Sequence, residues 1–166
     1  MTDIGIRSVK PGDEHILAHI QSESWRAAFC KILSAEDLAR FSDADSLASR
    51  YAALLESGAD HGYLLFVDDA PHCIAFWDNA REENMPGYAE LICIHSLQDN
   101  WGKGYGSFML EHIMCEAKSA GFQKMMLWVF EENTRARRFY EKHGFTRTGQ
   151  TKTTYGADEI MYVRDL

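Results

Sequence analysis

The residue pattern predicts an α/β protein of the α+β kind: a mixed, mostly antiparallel sheet of six or seven strands with helices on both faces. Three observations predict it. Short apolar or alternating runs recur from Ile4 to Val163. Three of them follow one another in mid-chain with only short connections, as antiparallel strands do. One strand–helix–strand unit, from Tyr88 to Val129, requires a parallel neighbour.

The elements follow in order. Ile4-Gly5-Ile6-Arg7-Ser8-Val9 alternates apolar and polar residues and reads as a first strand. Pro11-Gly12-Asp13 is a turn and helix start, after which Ile16, Leu17, Ile20 and Trp25 recur at helical spacing. Ser34 is an N-cap followed by acids in the first turn. A further helix is expected over Asp45 to Glu56, with Leu47, Tyr51, Leu54 and Leu55 on one face and Ser57-Gly58 at its end. Tyr63 to Val67 is a strand, Asp68 to Pro71 a turn, and Cys73 to Trp77 the hairpin partner. A polar loop, Arg81 to Gly87, leads to a strand over Tyr88 to Ser96. A glycine-rich turn, a helix closed by Ala120-Gly121, and a strand over Met125 to Val129 come next. A last helix runs to about Lys142, and two short strands near Thr146–Thr153 and Glu159–Val163 finish the chain.

Length and composition suit one domain over residues 1–166, with enough chain to bury a core. No apolar run approaches the ~18 residues needed to span a bilayer, and the first residues lack a signal-peptide pattern. The expected location is the cytoplasm. Cys30, Cys73, Cys93 and Cys115 form no Cys-x-x-Cys pair and no zinc spacing with histidine, so no metal is expected. Cys93 and Cys115 lie in apolar settings and are expected to be buried thiols. The net charge of −8 argues against a nucleic-acid partner and accords with a cationic substrate such as an amine, or simply with a solvated surface.

Two segments carry chemistry. In the first, Gln98-Asp99-Asn100-Trp101-Gly102-Lys103-Gly104-Tyr105-Gly106 joins a strand to a helix that opens at Ser107-Phe108. Such a turn aims several backbone N–H groups at one point, at the positive end of the helix dipole, and suits a phosphate or pyrophosphate. Neither the dinucleotide fingerprint nor the P-loop pattern is present, because the glycine register fails for one and Gly104 follows Gly102-Lys103 in the other. In the second, Asn133 stands where a strand gives way to a helix, and Tyr140 follows two helical turns later on nearly the same face. An amide there pairs with an amide-bearing ligand or caps the helix. A phenol there serves as an acid or packs in the core.

Together the two segments resemble the GNAT superfamily of acyl-CoA-dependent N-acetyltransferases. The likeness runs from about Ile4 to the C-terminus. It is strongest in Trp101-Gly102-Lys103-Gly104-Tyr105-Gly106 and in Asn133 with Phe139-Tyr140-Glu141-Lys142-His143-Gly144-Phe145. Ser24-Trp25 followed by Phe29 also looks like the first helix of small-molecule members. Trp101 departs from the family pattern, which begins the loop with Gln or Arg, and Gln98 stands where Pro is frequent.

The resemblance implies a V-shaped cleft where two central parallel strands splay apart and hold acetyl-CoA. The pyrophosphate would lie on Trp101, Gly102, Lys103, Gly104, Tyr105, Gly106 and Ser107, and the pantetheine arm would pair with Ile94-His95-Ser96. Asn133 would bind a pantetheine amide beside Ala136, and Tyr140 would protonate the departing thiolate. An amine would attack the thioester directly, with the oxyanion held by a backbone N–H of the splayed strand. Glu90 is the candidate base, with His95 or water as alternatives. Alternation along the strand puts Glu90, Ile92 and Ile94 on one face, so Glu90 is equally suited to a salt bridge. Trp25 and Phe29, with Tyr51, are candidates for the acceptor side. A non-catalytic acyl-CoA-binding sensor or regulatory module is the alternative function. A homodimer is a further expectation, with Ile160, Tyr162 and Val163 as the apolar strand residues that would pair across it.

Overall fold

The computed structural model describes residues 1–58 and 61–166. In chain order the elements are β1 (Ile4–Ser8), α1 (Glu14–Phe29), α2 (Ala35–Phe41), α3 (Ala44–Glu56), β2 (Gly62–Val67), β3 (Ala70–Asn79) and β4 (Tyr88–Ser96). A short 3₁₀ turn (Gln98–Asn100) leads to α4 (Tyr105–Ser119), β5 (Lys124–Phe130), α5 (Thr134–Lys142), β6 (Thr146–Thr154) and β7 (Ala157–Asp165). The strands form one sheet in the order β1-β2-β3-β4-β5-β7-β6. Every pair is antiparallel except β4–β5.

The helices start as the sequence dictates. The Ser34 hydroxyl accepts from the Asp37 N–H at 3.0 Å and Asp43 from the Ser46 N–H at 2.9 Å, each satisfying a donor that the helix leaves open. Asp13 stands at the head of α1 but does not cap it. Its carboxylate takes both Arg7 guanidinium nitrogens and the Lys10 N–H, which pins β1 to α1.

The β2–β3 connection is tighter than its composition predicts. Asp68 and Asp69 alone form the turn, both at positive φ (48° and 64°), the conformation a two-residue hairpin requires. Ala70 and Pro71 therefore belong to β3. A shift of register between Leu65 and Phe66 accommodates Pro71, which lacks an N–H to donate.

Two apolar layers sandwich the sheet. On one face α4 supplies Met109, Leu110, Ile113 and Ala117 and α5 supplies Tyr140, packed on Leu65, Ala75, Leu91, Met125 and Leu127. On the other, α1 (Leu17, Ala18, Ile20) and α3 (Leu47, Ala48, Tyr51, Leu55) pack on Leu64, Ile74 and Phe76. A separate small cluster of Leu33, Phe130 and Ala157, with Trp25 and Phe29 against it, lies beside them.

Packing corrects three expectations. Cys115 is exposed, because the inward face of α4 runs through Ile113 and Ala117 and residue 115 points the other way. Cys93 is only partly buried. Ile160 and Tyr162 are fully buried, since β7 lies between β5 and β6 rather than at the sheet edge, so they offer no surface to a second subunit.

Candidate active site

The parallel pair opens the site. β4 and β5 are paired only at Tyr88–Lys124, Ala89–Met125 and Glu90–Met126. Beyond Glu90 the strands diverge, and the facing edges from Leu91 to Ser96 and from Leu127 to Phe130 are no longer joined. A cleft of about 880 Å³ occupies the divergence.

A bulge at the mouth of this V reorders the β4 side chains. Cys93 pairs with Phe76 and Leu91 with Trp77, so Ile92 is an extra residue with no partner on β3. The bulge reverses the alternation. Ile94 packs into the same layer as Ala89 and Leu91, not with Glu90, while Cys93 joins the opposite layer. The shared face expected for Glu90, Ile92 and Ile94 is therefore broken. Ile92 instead stands 39% exposed in the cleft lining.

One end of the cleft is the glycine turn. Gly102 and Gly104 have φ of +78° and +89°, and Gly104 is the N-cap of α4. No described residue accepts a hydrogen bond from the backbone N–H groups of Gly102, Lys103, Gly104, Tyr105 or Gly106. Five consecutive donors at a helix N-terminus fit a phosphate or diphosphate. A Cβ on Gly104 would meet no atom within 4 Å, so the glycine is needed for its backbone angle. Gly104→Ala is expected to destabilise the fold by about 1 kcal/mol, as read from denaturant unfolding. An unchanged midpoint would show that the turn tolerates another conformation.

Most of the expected cofactor residues line the cleft: Ile94, His95, Ser96, Trp101, Gly102, Gly104, Tyr105, Gly106, Ser107, Asn133, Ala136 and Tyr140. Lys103 does not, and its ammonium donates to Asn100 Oδ1 at 2.7 Å. The Asn133 carbonyl caps α5 by accepting from the Ala136 N–H at 3.2 Å. That fixes the side chain and leaves its amide NH₂ for a ligand carbonyl. The Trp101 indole N–H donates to Ser96 O at 3.0 Å. Arg135, which the motif reading passed over, also lines the cleft and lies over the Trp101 ring. Its signal in the sequence was a basic residue in the first turn of a helix, where a cation is unfavourable.

Tyr140 also lines the cleft. Its ring is buried, 5.8 Å from Phe145 and 5.4 Å from Phe139, and its hydroxyl has no hydrogen-bond partner among the described residues. Burial pushes the phenol above its usual range, which keeps its proton in place at neutral pH.

Glu90 is buried and fully engaged. Arg81 donates to it from the backbone N–H (3.0 Å), Nε (3.0 Å) and a terminal nitrogen (2.7 Å). Burial alone would raise its carboxyl, but the Arg81 hydrogen bonds outweigh that and hold it below the usual range. Burial lowers His95 to about 4, so it is neutral throughout the physiological range.

Another part of the cleft wall is aromatic. Trp25 and Phe29 lie 5.2 Å apart edge to face, and Phe29 meets Phe130 at 5.0 Å. Tyr155, at the tip of the β6–β7 hairpin, lies 4.1 Å from Phe41 and 6.2 Å from Trp25. Its φ is +53°, a region a tyrosine seldom occupies. Tyr51 also lines the cleft and donates to Gln21 at 2.5 Å. Among the described residues no cluster of His, Cys, Asp and Glu is placed to hold a metal ion.

Comparison with known proteins converges on one family. The model of the acetyltransferase (GNAT) family matches residues 17–145. An uncharacterized N-acetyltransferase of the pepI 3′ region from Lactobacillus delbrueckii subsp. lactis is 27% identical over 163 residues, 95% of this chain and 93% of that protein. Among solved structures, the PaiA N-acetyltransferase from Thermoplasma acidophilum in complex with coenzyme A aligns with a TM-score of 0.75 at 22% identity, covering 99% of both chains. YncA, a putative acetyltransferase from Salmonella typhimurium with its cofactor acetyl-CoA, aligns with a TM-score of 0.72 at 20% identity, covering 98% of this chain and 93% of that one. With the splayed parallel pair and the glycine turn in place, the chain belongs to the acetyltransferase (GNAT) family.

Proposed function

We propose that this protein transfers an acetyl group from acetyl-CoA to a primary amine of a small molecule or peptide, with both substrates bound at once. One observation carries the reading. A single cleft is lined by the glycine turn with its unpaired N–H groups, by Tyr140 and by the aromatic residues Trp25, Phe29 and Phe130. Acetyl-CoA supplies an activated acyl carbon, to which the amine nitrogen bonds as the carbon–sulfur bond breaks.

The residues divide the work. The N–H groups of Gly102 to Gly106 hold the diphosphate, and Asn133 donates to the pantetheine arm along the open edge of β4. The bulge at Ile92 turns the backbone toward the reacting carbonyl, where an N–H offsets developing negative charge. Tyr140 gives its proton to the leaving sulfur. Glu90 is the candidate to receive the amine proton through water, and the Arg81 hydrogen bonds that hold it below the usual carboxylate range make it a weak base. Its proton affinity is low, so most of the neutral amine is supplied by bulk ionisation.

A pH dependence follows. kcat/KM for the acceptor is expected to rise with pH through neutrality toward the amine's own pKa. A His95→Gln variant should keep that slope, because a group near 4 contributes no break above pH 5. A break near 6.5 that vanishes in the variant would assign the base to His95.

The direct test is release of CoA thiol from acetyl-CoA, screened across polyamines, amino acids, aminoglycosides and peptide N-termini. Acceleration by one class supports transfer. Tight CoA binding with no acceleration by any amine would favour an acyl-CoA-binding regulatory module instead.

A further inference from the structure

Arg135 is a cation held in place without an anion. It occupies the first turn of α5, where the helix dipole opposes positive charge, and α5 has no acid there to offset it. No described carboxylate lies within ion-pair distance of it. Its neighbour Arg137 is engaged quite differently, donating to Tyr162 Oη at 3.2 Å and to Glu131 O at 3.0 Å. The Arg135 guanidinium carbon instead lies over the Trp101 ring, 3.5 Å from the centroid. The Trp101 ring is itself fixed, since its N–H donates to Ser96 O. That bond leaves the Trp101 side chain no polar atom for a phosphate, while Arg135, with no hydrogen-bond partner among the described residues, lines the same cleft as Gly102, Gly104 and Gly106.

We propose that Arg135 is the side-chain ligand of the CoA diphosphate and that Trp101 is the residue that positions it. The proposal rests on the reading of the cleft as an acetyl-CoA site. A planar guanidinium spans two phosphate oxygens in one geometry, and stacking on an indole fixes its plane before the ligand arrives. The cradle supplies partial charges from peptide dipoles, and Arg135 adds a full positive charge from the same cleft lining. The desolvation that lowers its proton affinity in the free protein is offset when an anion arrives.

Calorimetric titration of the whole protein with CoA and with 3′-dephospho-CoA tests this. Arg135→Gln is expected to raise Kd about 10- to 30-fold for both ligands, and Arg135→Lys by less. Thermal melting checks the fold of each variant, and Arg135 is exposed enough that its replacement leaves no cavity. Trp101→Ala should weaken binding about 5-fold in the parent protein and add nothing in the Arg135→Gln background. Equal CoA affinity in Arg135→Gln would overturn the proposal. A loss confined to CoA, with dephospho-CoA unaffected, would move Arg135 to the 3′-phosphate and overturn it too. An additive Trp101→Ala effect would show that Trp101 acts on its own account. Failure of the parent protein to bind CoA at all would sink the reading of the cleft, a separate result.

Discussion

Tyr140→Phe is expected to lower kcat about 100-fold while changing the Kd for CoA by less than about 3-fold. Phe keeps the ring that packs on Phe139 and Phe145 and removes only the hydroxyl, which has no hydrogen-bond partner among the described residues. Fold and ligand binding should therefore survive. A raised phenol pKa looks at first unsuited to an acid. The cleft acts on sulfur in the same direction: desolvation pushes the thiol of Cys93, which also lines it, up to about 12. A thiolate departing into this pocket is raised for the same reason, so donor and recipient remain matched. Single-turnover release of CoA thiol at saturating acceptor is the measurement. Equal rates in the two proteins would remove the acid role and leave Tyr140 as packing.

Arg81→Ala is expected to cost about 2 kcal/mol of stability and most of the activity. Glu90 has a side chain only 3% exposed and depends on Arg81 for three hydrogen bonds, of which the substitution leaves the backbone one. Breaking a fully buried pair costs about 3–5 kcal/mol. The figure here is lower because the Arg81 side chain is 64% exposed and water screens it. The sign with pH is definite. The Glu90 carboxyl is held below its unfolded value, so the pair contributes fully above about pH 4.5 and the contribution fades as pH falls through the folded value. Urea midpoints at pH 7 and pH 3 should therefore differ less in Arg81→Ala than in the parent. An identical difference in both proteins would show that Arg81 does not stabilise the charged form.

The fold was largely legible because its strands and helices carry strong periodicity, and because Tyr88–Val129 admits few topologies. The glycine turn and the Asn133–Tyr140 pair were legible for a local reason: spacing along one element places them. What escaped depends on a second strand or helix. The bulge at Ile92 arises from how β4 meets β3, and nothing within Leu91-Ile92-Cys93-Ile94 announces an unpaired residue. Cys115 was misread because an apolar neighbourhood in sequence spans both faces of α4. Arg135 became visible only when α5 was laid beside the turn that carries Trp101.

The small cluster of Leu33, Phe130 and Ala157 beneath the aromatic wall has a consequence for ancestry and drift. It is separate from both main layers, so the aromatic part of the cleft wall rests on packing of its own. Trp25 and Phe29 pack on this small cluster, whereas Tyr140 belongs to the central core and Tyr105 of the glycine turn packs against it. Lineages built on this chassis are expected to vary sooner along the aromatic wall than at the glycine turn and Tyr140.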